Sequence, residues 1–194
     1  MGIYPDTISF VNFLKMKIKE LLRRYEVGDR DFKRVDLHAA DLSGICLVDV
    51  DLEEANLGGA NLYRANLIGA CLYRANLNQA NLREANLSGA EMWKIDLGQA
   101  NLEESNLSGA NLKGAYLWRA KLCLANLGKA YLKEANLVQC DLWMADLRGA
   151  YLIGANLKEA SLKGASLDRA RYNAQTIFPE GFDPVSTGMQ ISEI

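Results

Sequence analysis

Leucine occupies every fifth position from Leu37 to Leu167, twenty-seven sites with Met92 the single exception and no insertion between them. Two residues before each leucine stands an equally regular small residue. The series runs Ala40, Ala55, Ala60 and onward to Ala170, replaced only by Val35, Ile45, Val50, Ile95, Ser105 and Cys140. A repeat of five matches neither the strand period of about 2 nor the helix period of about 3.6. No straight element keeps both the small residue and the leucine on one side, so the chain must turn once in every repeat.

The stretch Ala110-Asn111-Leu112-Lys113-Gly114 shows how. Its first three residues alternate in, out, in as a strand does, and the next two break the alternation at a corner. Gly59, Gly69, Gly89, Gly109 and Gly149 fall at such corners, where glycine takes a positive φ without a Cβ clash. The segment Asn81 to Ala90 recurs twenty residues later as Asn101 to Ala110, which favours four pentads per turn over three. Outward Asn56, Asn76 and their equivalents then stack coil over coil and are expected to form structural amide ladders.

The A-(D/N)-L-x-x pattern from Phe32 to Tyr172 resembles the pentapeptide-repeat proteins. That resemblance implies a right-handed, four-sided β-helix with the central leucine and the preceding small residue pointing inward. The flanks Leu22-Arg23-Arg24-Tyr25, Gly28-Asp29-Arg30-Asp31-Phe32 and Phe178-Pro179-Glu180-Gly181-Phe182-Asp183-Pro184 are similar to those of cyanobacterial members. The expected fold class is therefore an all-β solenoid of about seven coils with an N-terminal α-helical cap, a rod about 35 Å long at the usual strand spacing. Each coil buries its open end only against the next, so stability is shared along the array. The resemblance implies no particular activity, because a fold does not fix a function.

Three regions follow. Residues 1–30 form an N-terminal helical cap, 31–175 the repeat β-helix, and 176–194 a C-terminal cap with a flexible tail. Ile8, Val11, Leu14, Ile18, Leu21, Leu22 and Tyr25 recur at three and four residues, which predicts a helix from Ile8 to Val27 stopped by Gly28. Asp6, Thr7 or Ser9 would cap its start. Such a basic amphipathic helix suits a membrane surface or a partner, but an open β-helix end needs a cover, and that role is preferred. At the other end Ile177, Phe178 and Phe182, with a Pro-Glu-Gly turn, are expected to cover the last coil, leaving Val185 to Ile194 loose.

The chain of 194 residues is 49% apolar, yet has no apolar run approaching the eighteen or so residues that span a bilayer. Its first residues lack the features of a secretory signal, so a cytoplasmic location is expected. Cys46, Cys71, Cys123 and Cys140 show no paired spacing and read as substitutions within the repeat, not as a disulfide or zinc framework. No cofactor or metal is expected. His38, the one histidine, sits outward near Asp36 and Asp41, the pattern of a solvated side chain and not of a general base. The hexapeptide β-helix acyltransferases are the nearest catalytic alternative in shape, but their period differs and they need an intersubunit histidine.

Some pentapeptide-repeat relatives inhibit DNA gyrase by imitating duplex DNA, and the resemblance brings that function into consideration. Duplex DNA carries a charge every 1.7 Å or so, which asks a 35 Å mimic for on the order of twenty net negatives. The formal net charge here is −2, with Glu53-Glu54 and Glu103-Glu104 interleaved among Arg64, Arg74, Arg83, Lys94, Lys113 and Arg119. Mimicry is disfavoured, and the same balance argues against a nucleic-acid partner.

Counting by twenty places Trp118 under Val138, Cys123 under Trp143 and Leu124 under Met144, all outward and on adjoining faces. These six residues are the candidate protein-contact patch, expected to merge over two coils, with stacking between neighbouring coils as the competing explanation. A second cluster sets Tyr73 under Trp93 beside Arg74 and Lys94, and Tyr131 under Tyr151; ladder packing is the preferred reading there. The expected function is a non-enzymatic interaction or scaffold protein with an unknown protein partner, present as a monomer or an end-to-end dimer.

Overall fold

Outward residues of the array lie beside the residue twenty positions on. In the computed structural model, which describes residues 14–192, parallel bridges join Asp31 to Asp51, Asp36 to Asn56, Asp41 to Asn61 and Cys46 to Asn66, and each of these four series continues upward in steps of twenty. Four pentads therefore complete one coil and give the rod four walls. The first wall runs from Asp31 to Arg171, the second from Asp36 to Asn156, the third from Asp41 to Ser161 and the fourth from Cys46 to Ser166.

Corners form for a local reason. The N–H of Ala60 donates to the Leu57 carbonyl at 3.0 Å, closing a turn over Gly58 and Gly59, and Gly59 has φ +63°. A positive φ at the second central residue is what a type II turn requires. It holds at the equivalent position of every corner from Arg34 to Arg169, including non-glycine residues such as Glu84 (φ 58°) and Lys129 (φ 58°). The outward Asn or Asp helps set the bend: Asn56 Oδ1 accepts the Gly58 N–H at 3.2 Å, and Asn126 Oδ1 accepts the Gly128 N–H at 3.0 Å. The expected ladders are present too. Asn76 Nδ2 donates to Asn56 Oδ1 at 3.1 Å, and Asn81 Nδ2 to Asn61 Oδ1 at 3.0 Å. One side chain thus serves both the corner that follows it and the coil beneath it.

Leucines and small residues fill the interior. Every leucine-position side chain from Leu37 to Leu157, Met92 included, is 2% exposed or less. Each contributes on the order of 1.5–3 kcal/mol by leaving water. The buried Ser105 hydroxyl donates to the Leu102 carbonyl at 2.7 Å, and the buried Cys140 thiol to the Leu117 carbonyl at 2.8 Å, so neither polar substitution leaves an orphan. Asn111→Ser removes the 2.8 Å amide bond to Glu91 but keeps an oxygen to hold the corner. Its expected cost is about 0.5–1.5 kcal/mol by chemical denaturation.

Corner glycines are not equivalent, which makes a sharper test. Gly69 (φ +66°) faces the Asp49 carboxylate where a Cβ would stand, whereas nothing lies within 4 Å of that point at Gly109 (φ +66°). Gly109→Ala is expected to cost about 1–2 kcal/mol for the left-handed backbone alone. Gly69→Ala should cost more in thermal melts, and Asp49→Ala should remove the difference between the two.

Both ends differ from expectation. Leu14–Lys15 is a strand, β1, paired parallel with β2 (Val35–Asp36), so the helix α1 spans only Ile18–Glu26 and does not begin at Ile8. Its N-cap is Lys17, without a side-chain cap bond, while Asp6, Thr7 and Ser9 lie outside the described residues. The apolar spacing that suggested a longer helix is shared with a segment that extends the first coil's second wall. Leu21 is fully buried, Ile18, Leu22 and Tyr25 pack on the core, and Tyr25 Oη donates to the Val48 carbonyl at 3.0 Å.

At the far end β3 (Arg171–Tyr172) pairs in parallel with β4 (Gln190–Ile191), reached through a single 3-10 turn at Val185–Thr187. The segment expected to be loose thus adds another strand, with Met189 8% exposed; residues 193–194 lie outside the described range. Phe178 and Phe182 do pack on the core, with their ring centroids 5.1 Å apart. Ile177 does not: it bridges Asn156 in the second wall and is 49% exposed.

Candidate functional site

Outward side chains carry whatever function this rod has, and each column has its own chemistry. The six candidate residues all sit at corners. Trp118 and Val138 occupy the corner between the second and third walls; Cys123, Leu124, Trp143 and Met144 occupy the next corner, between the third and fourth. The wall between these corners carries exposed Lys121 and Asp141. The six therefore do not merge as expected, because a charged column divides them.

The two groups also differ in exposure. Trp118 and Val138 are half-buried. The Arg119 guanidinium lies 4.4 Å from the Trp118 ring centroid, its Nε donates to Gln139 Oε1 at 2.7 Å, and Gln139 Nε2 donates to Glu159 Oε2 at 2.7 Å. Arg119, held by this chain of polar side chains, covers the tryptophan. By contrast Leu124 is 48% exposed, Met144 50% and Trp143 42%, with Cys123 half-buried beside them. They form an apolar ridge of two coils, bordered by Glu103 and Glu104 below and Lys163 above. Leu124 (φ 59°) and Met144 (φ 53°) adopt left-handed backbone that aliphatic residues seldom take. Glycine at 164 leaves room for Met144, whose Cγ would stand 3.2 Å from an added Cβ. On one side the ridge adjoins the fourth wall, where the column of Asn66, Asn86, Asn106 and Asn126 continues into Asp146 beside Trp143 and Met144.

The second cluster stacks as expected. Tyr73 and Trp93 have centroids 3.7 Å apart at 22°, with Arg74 5.2 Å from the Tyr73 ring and Lys94 5.9 Å from Trp93. Tyr131 and Tyr151 lie 4.6 Å apart at 2°, and Arg171 covers the far face of that pair at 5.2 Å. Sequence reasoning overlooked Tyr116, which stands 43% exposed on the second wall. Gly98, one coil below, would have been the signal, since a Cβ there would meet the Tyr116 ring at 3.3 Å.

Titratable groups follow their surroundings. Arg34 beside Glu54 and Arg64 beside Glu84 lower those carboxyls below the usual range, through charge-assisted bonds of 2.8 and 2.6 Å. His38 is exposed, and its backbone N–H donates to Asp36 Oδ1 at 3.1 Å. A depression of about 590 Å³ between His38 and the Met16 to Lys19 segment adjoins it. No bond to the imidazole is present among the described residues, so nothing orients it as a base. Burial pushes the Cys140 thiol up to about 12, and burial with Asp141 nearby pushes Cys123 up to about 11. Cys46 is exposed. A thiol reagent at neutral pH is therefore expected to label Cys46 first, while Cys140 reacts only on unfolding. Equal rates for the two would contradict the inward placement of Cys140.

Among the described residues no helix is long and apolar enough to cross a membrane, and no group of His, Cys, Asp or Glu is placed to hold a metal ion.

An uninterrupted four-sided stack of five-residue units, with leucine inside, defines a repeat solenoid. The family described as pentapeptide repeats, in eight copies, matches residues 45–83, 80–119, 105–143 and 130–169, and this chain belongs to it. Its members fold as right-handed quadrilateral β-helices and are in general structural or interaction proteins. Among solved structures the chain is similar to HetL, a pentapeptide repeat protein involved in heterocyst differentiation regulation from the cyanobacterium Nostoc sp. strain PCC 7120. The two share 28% identity over 90% of this chain and 92% of that one, with a TM-score of 0.46. It is also similar to alr5209, a pentapeptide repeat protein from Nostoc PCC 7120, at 30% identity over 91% and 96% of the two chains and a TM-score of 0.31. QnrB1, a plasmid-mediated fluoroquinolone resistance protein, matches at 16% identity over 78% and 86%, with a TM-score of 0.39. No curated protein matches.

Proposed function

We propose that this chain is a non-enzymatic scaffold that presents rigid walls to a protein partner, with Leu124, Trp143 and Met144 as the contact. The observation that carries this reading is the ridge itself: three large apolar side chains stand 42–50% exposed together at one corner over two successive coils. Monomeric proteins seldom leave such groups in water without a use, and tryptophan is enriched where interfaces concentrate their energy. Trp118, Cys123 and Val138 take a supporting role because they are half-buried and, for Trp118, already covered by Arg119. In this reading the rod has about seven coils, α1 closes its N-terminal end, and the protein works in the cytoplasm without cofactor, membrane or nucleic acid.

The DNA-mimic reading is set aside. Several acids are matched within the chain: Glu54 pairs with Arg34 and Arg74, Glu84 with Arg64 and Arg83, and Glu104 with Arg83. Purified protein at micromolar concentration is expected to leave gyrase supercoiling unchanged.

Capture from native lysate with wild type and the Leu124→Ala/Trp143→Ala/Met144→Ala variant tests the ridge. The variant should melt close to wild type, since surface changes usually move stability by less than about 0.5 kcal/mol each. It should also lose a species that wild type retains. Retention of every captured species by a folded variant would remove the ridge from the account.

A further inference from the structure

The first wall changes sign along the rod. Residues 28–34 and 48–54, its first two rows with their corners, carry six carboxylates against three cations. Residues 108–114, 128–134, 148–154 and 168–174, its last four rows, carry six cations against two carboxylates. Some charges at both ends have partners within the chain: Asp29 with Arg24 at 2.7 Å, Asp51 and Glu53 with Lys33 at 3.1 and 2.8 Å, and Glu54 with Arg34 at 2.8 Å, which leaves Asp31 and Asp49 outside any ion pair among the described residues. At the basic end Lys133 pairs with Glu134 at 3.8 Å, Arg148 with Asp146 at 2.6 Å and Arg169 with Asp168 at 3.6 Å. Lys113, Lys129 and Arg171 are exposed and have no ion pair among the described residues. A nearly neutral chain thus places opposite excess charge at the two ends of one flat wall.

We infer that this wall is built to pack against the first wall of a second copy, with the two rods antiparallel. A two-fold axis lying in the contact plane and running across the rods reverses the rod direction and sets each corner against the same corner of its mate, as a closed isologous dimer allows. Passing that axis between the rows of Glu91 and Asn111 brings row 31 opposite row 171 and row 71 opposite row 131. Asp31 then faces Arg171, Arg74 faces Glu134, and Trp93 faces Lys113. Every one of these juxtapositions is favourable, and each occurs twice.

The contact has apolar substance as well as charge. The Tyr73–Trp93 and Tyr131–Tyr151 stacks both belong to this wall or its corner with the second wall, and Trp93 and Tyr131 are 37% and 49% exposed. Aromatic rings ordered by stacking reach a partner with little further loss of freedom. Charge complementarity sets the antiparallel register, because a parallel arrangement would oppose like ends. The apolar ridge lies on the corner between the third and fourth walls, away from this contact, and remains free in both copies.

Sedimentation velocity on the full chain tests the inference. Screening shortens from about 30 Å at 0.01 M salt to about 3 Å at 1 M, so the protein is expected to be dimeric at low salt and monomeric at high salt. Arg171→Glu should weaken the low-salt dimer at least tenfold while leaving the far-ultraviolet spectrum and melting curve unchanged, and adding Asp31→Arg should restore it. Trp143→Ala should leave the dimer intact. A monomer at both salts would overturn the inference. So would a dimer insensitive to Arg171→Glu, one that Asp31→Arg fails to restore, or one lost with Trp143→Ala.

Discussion

Leu107→Lys abolishes the cooperative unfolding transition of this protein, or lowers its midpoint further than any surface change in the chain. Leu107 is 0% exposed, and its N–H donates to the Asn126 carbonyl at 2.7 Å, which fixes the side chain toward the axis of the rod. Leu107→Ala alone is expected to cost about 2–5 kcal/mol, from lost burial and the space left behind. Lysine adds an ammonium that has no route to water, since coils pack above and below and the wall closes the outside. A total stability of about 5–15 kcal/mol does not absorb that penalty. Asn106, one position earlier, points outward and bonds to Asn86 at 3.2 Å, so Asn106→Ser should remain within about 1.5 kcal/mol of wild type. Chemical denaturation of the two variants side by side measures the contrast.

A single residue inserted after Gly109 should be nearly as severe. The corner from Leu107 to Ala110 is closed by a 3.0 Å bond, and each later residue finds its partners by being twenty positions from the coil below. One extra residue turns Leu112, Leu117 and all that follow out of phase. The native chain shows what absorbing such an insertion takes. Asn156 bridges Ile177, twenty-one positions on, where the repeat ends. There the Gly154 N–H is received by Asn173 Oδ1 at 3.0 Å and Thr176 Oγ1 at 3.2 Å, while Thr176 Oγ1 donates to the Leu152 carbonyl at 2.9 Å. No such side chains stand ready at Gly109. Hydrogen exchange is expected to show lost protection from Ala110 onward, whereas inserting a whole pentad of Ala-Asn-Leu-Ser-Gly keeps every leucine inside and should preserve most of it. Equal damage from both insertions would mean that the five-residue period does not set the packing.

Much of this fold was legible because the period is uninterrupted. The inward leucines and small residues, the corner glycines and the stacking of residue upon residue at twenty all follow from spacing, since five residues admit one corner and one buried pair. What was lost lies where spacing stops carrying information. Leu14 fits a helical apolar pattern as well as it fits an added strand, and only the unpaired edge of the first coil, a tertiary feature, selects the strand. Gln190 and Ile191 likewise carry no repeat signal, yet the open edge at Arg171–Tyr172 recruits them.

The candidate site was legible in part. Counting by twenty puts Trp118 over one corner and Trp143 over the next, and the same count places Lys121 and Asp141 between them. Exposure was harder to see, because the cover that Arg119, held by Gln139, gives Trp118 depends on rotamers and not on register. The Asn columns were read as ladders alone. Their second role, holding the N–H two residues ahead, is a short-range habit of Asn and Asp that the D/N of each repeat already announced.

The claim on which the rest depends is that four pentads, and not three, complete a coil. Disulfide trapping tests it most directly, in a chain whose own cysteines have been replaced. Strands in neighbouring coils lie about 4.8 Å apart, within the Cα separation of about 4.4–6.8 Å that a disulfide needs. Asn86→Cys paired with Asn106→Cys should therefore oxidise readily in the native state, and Asn86→Cys paired with Asn101→Cys should not. Ready oxidation of the second pair with failure of the first would contradict the four-sided winding.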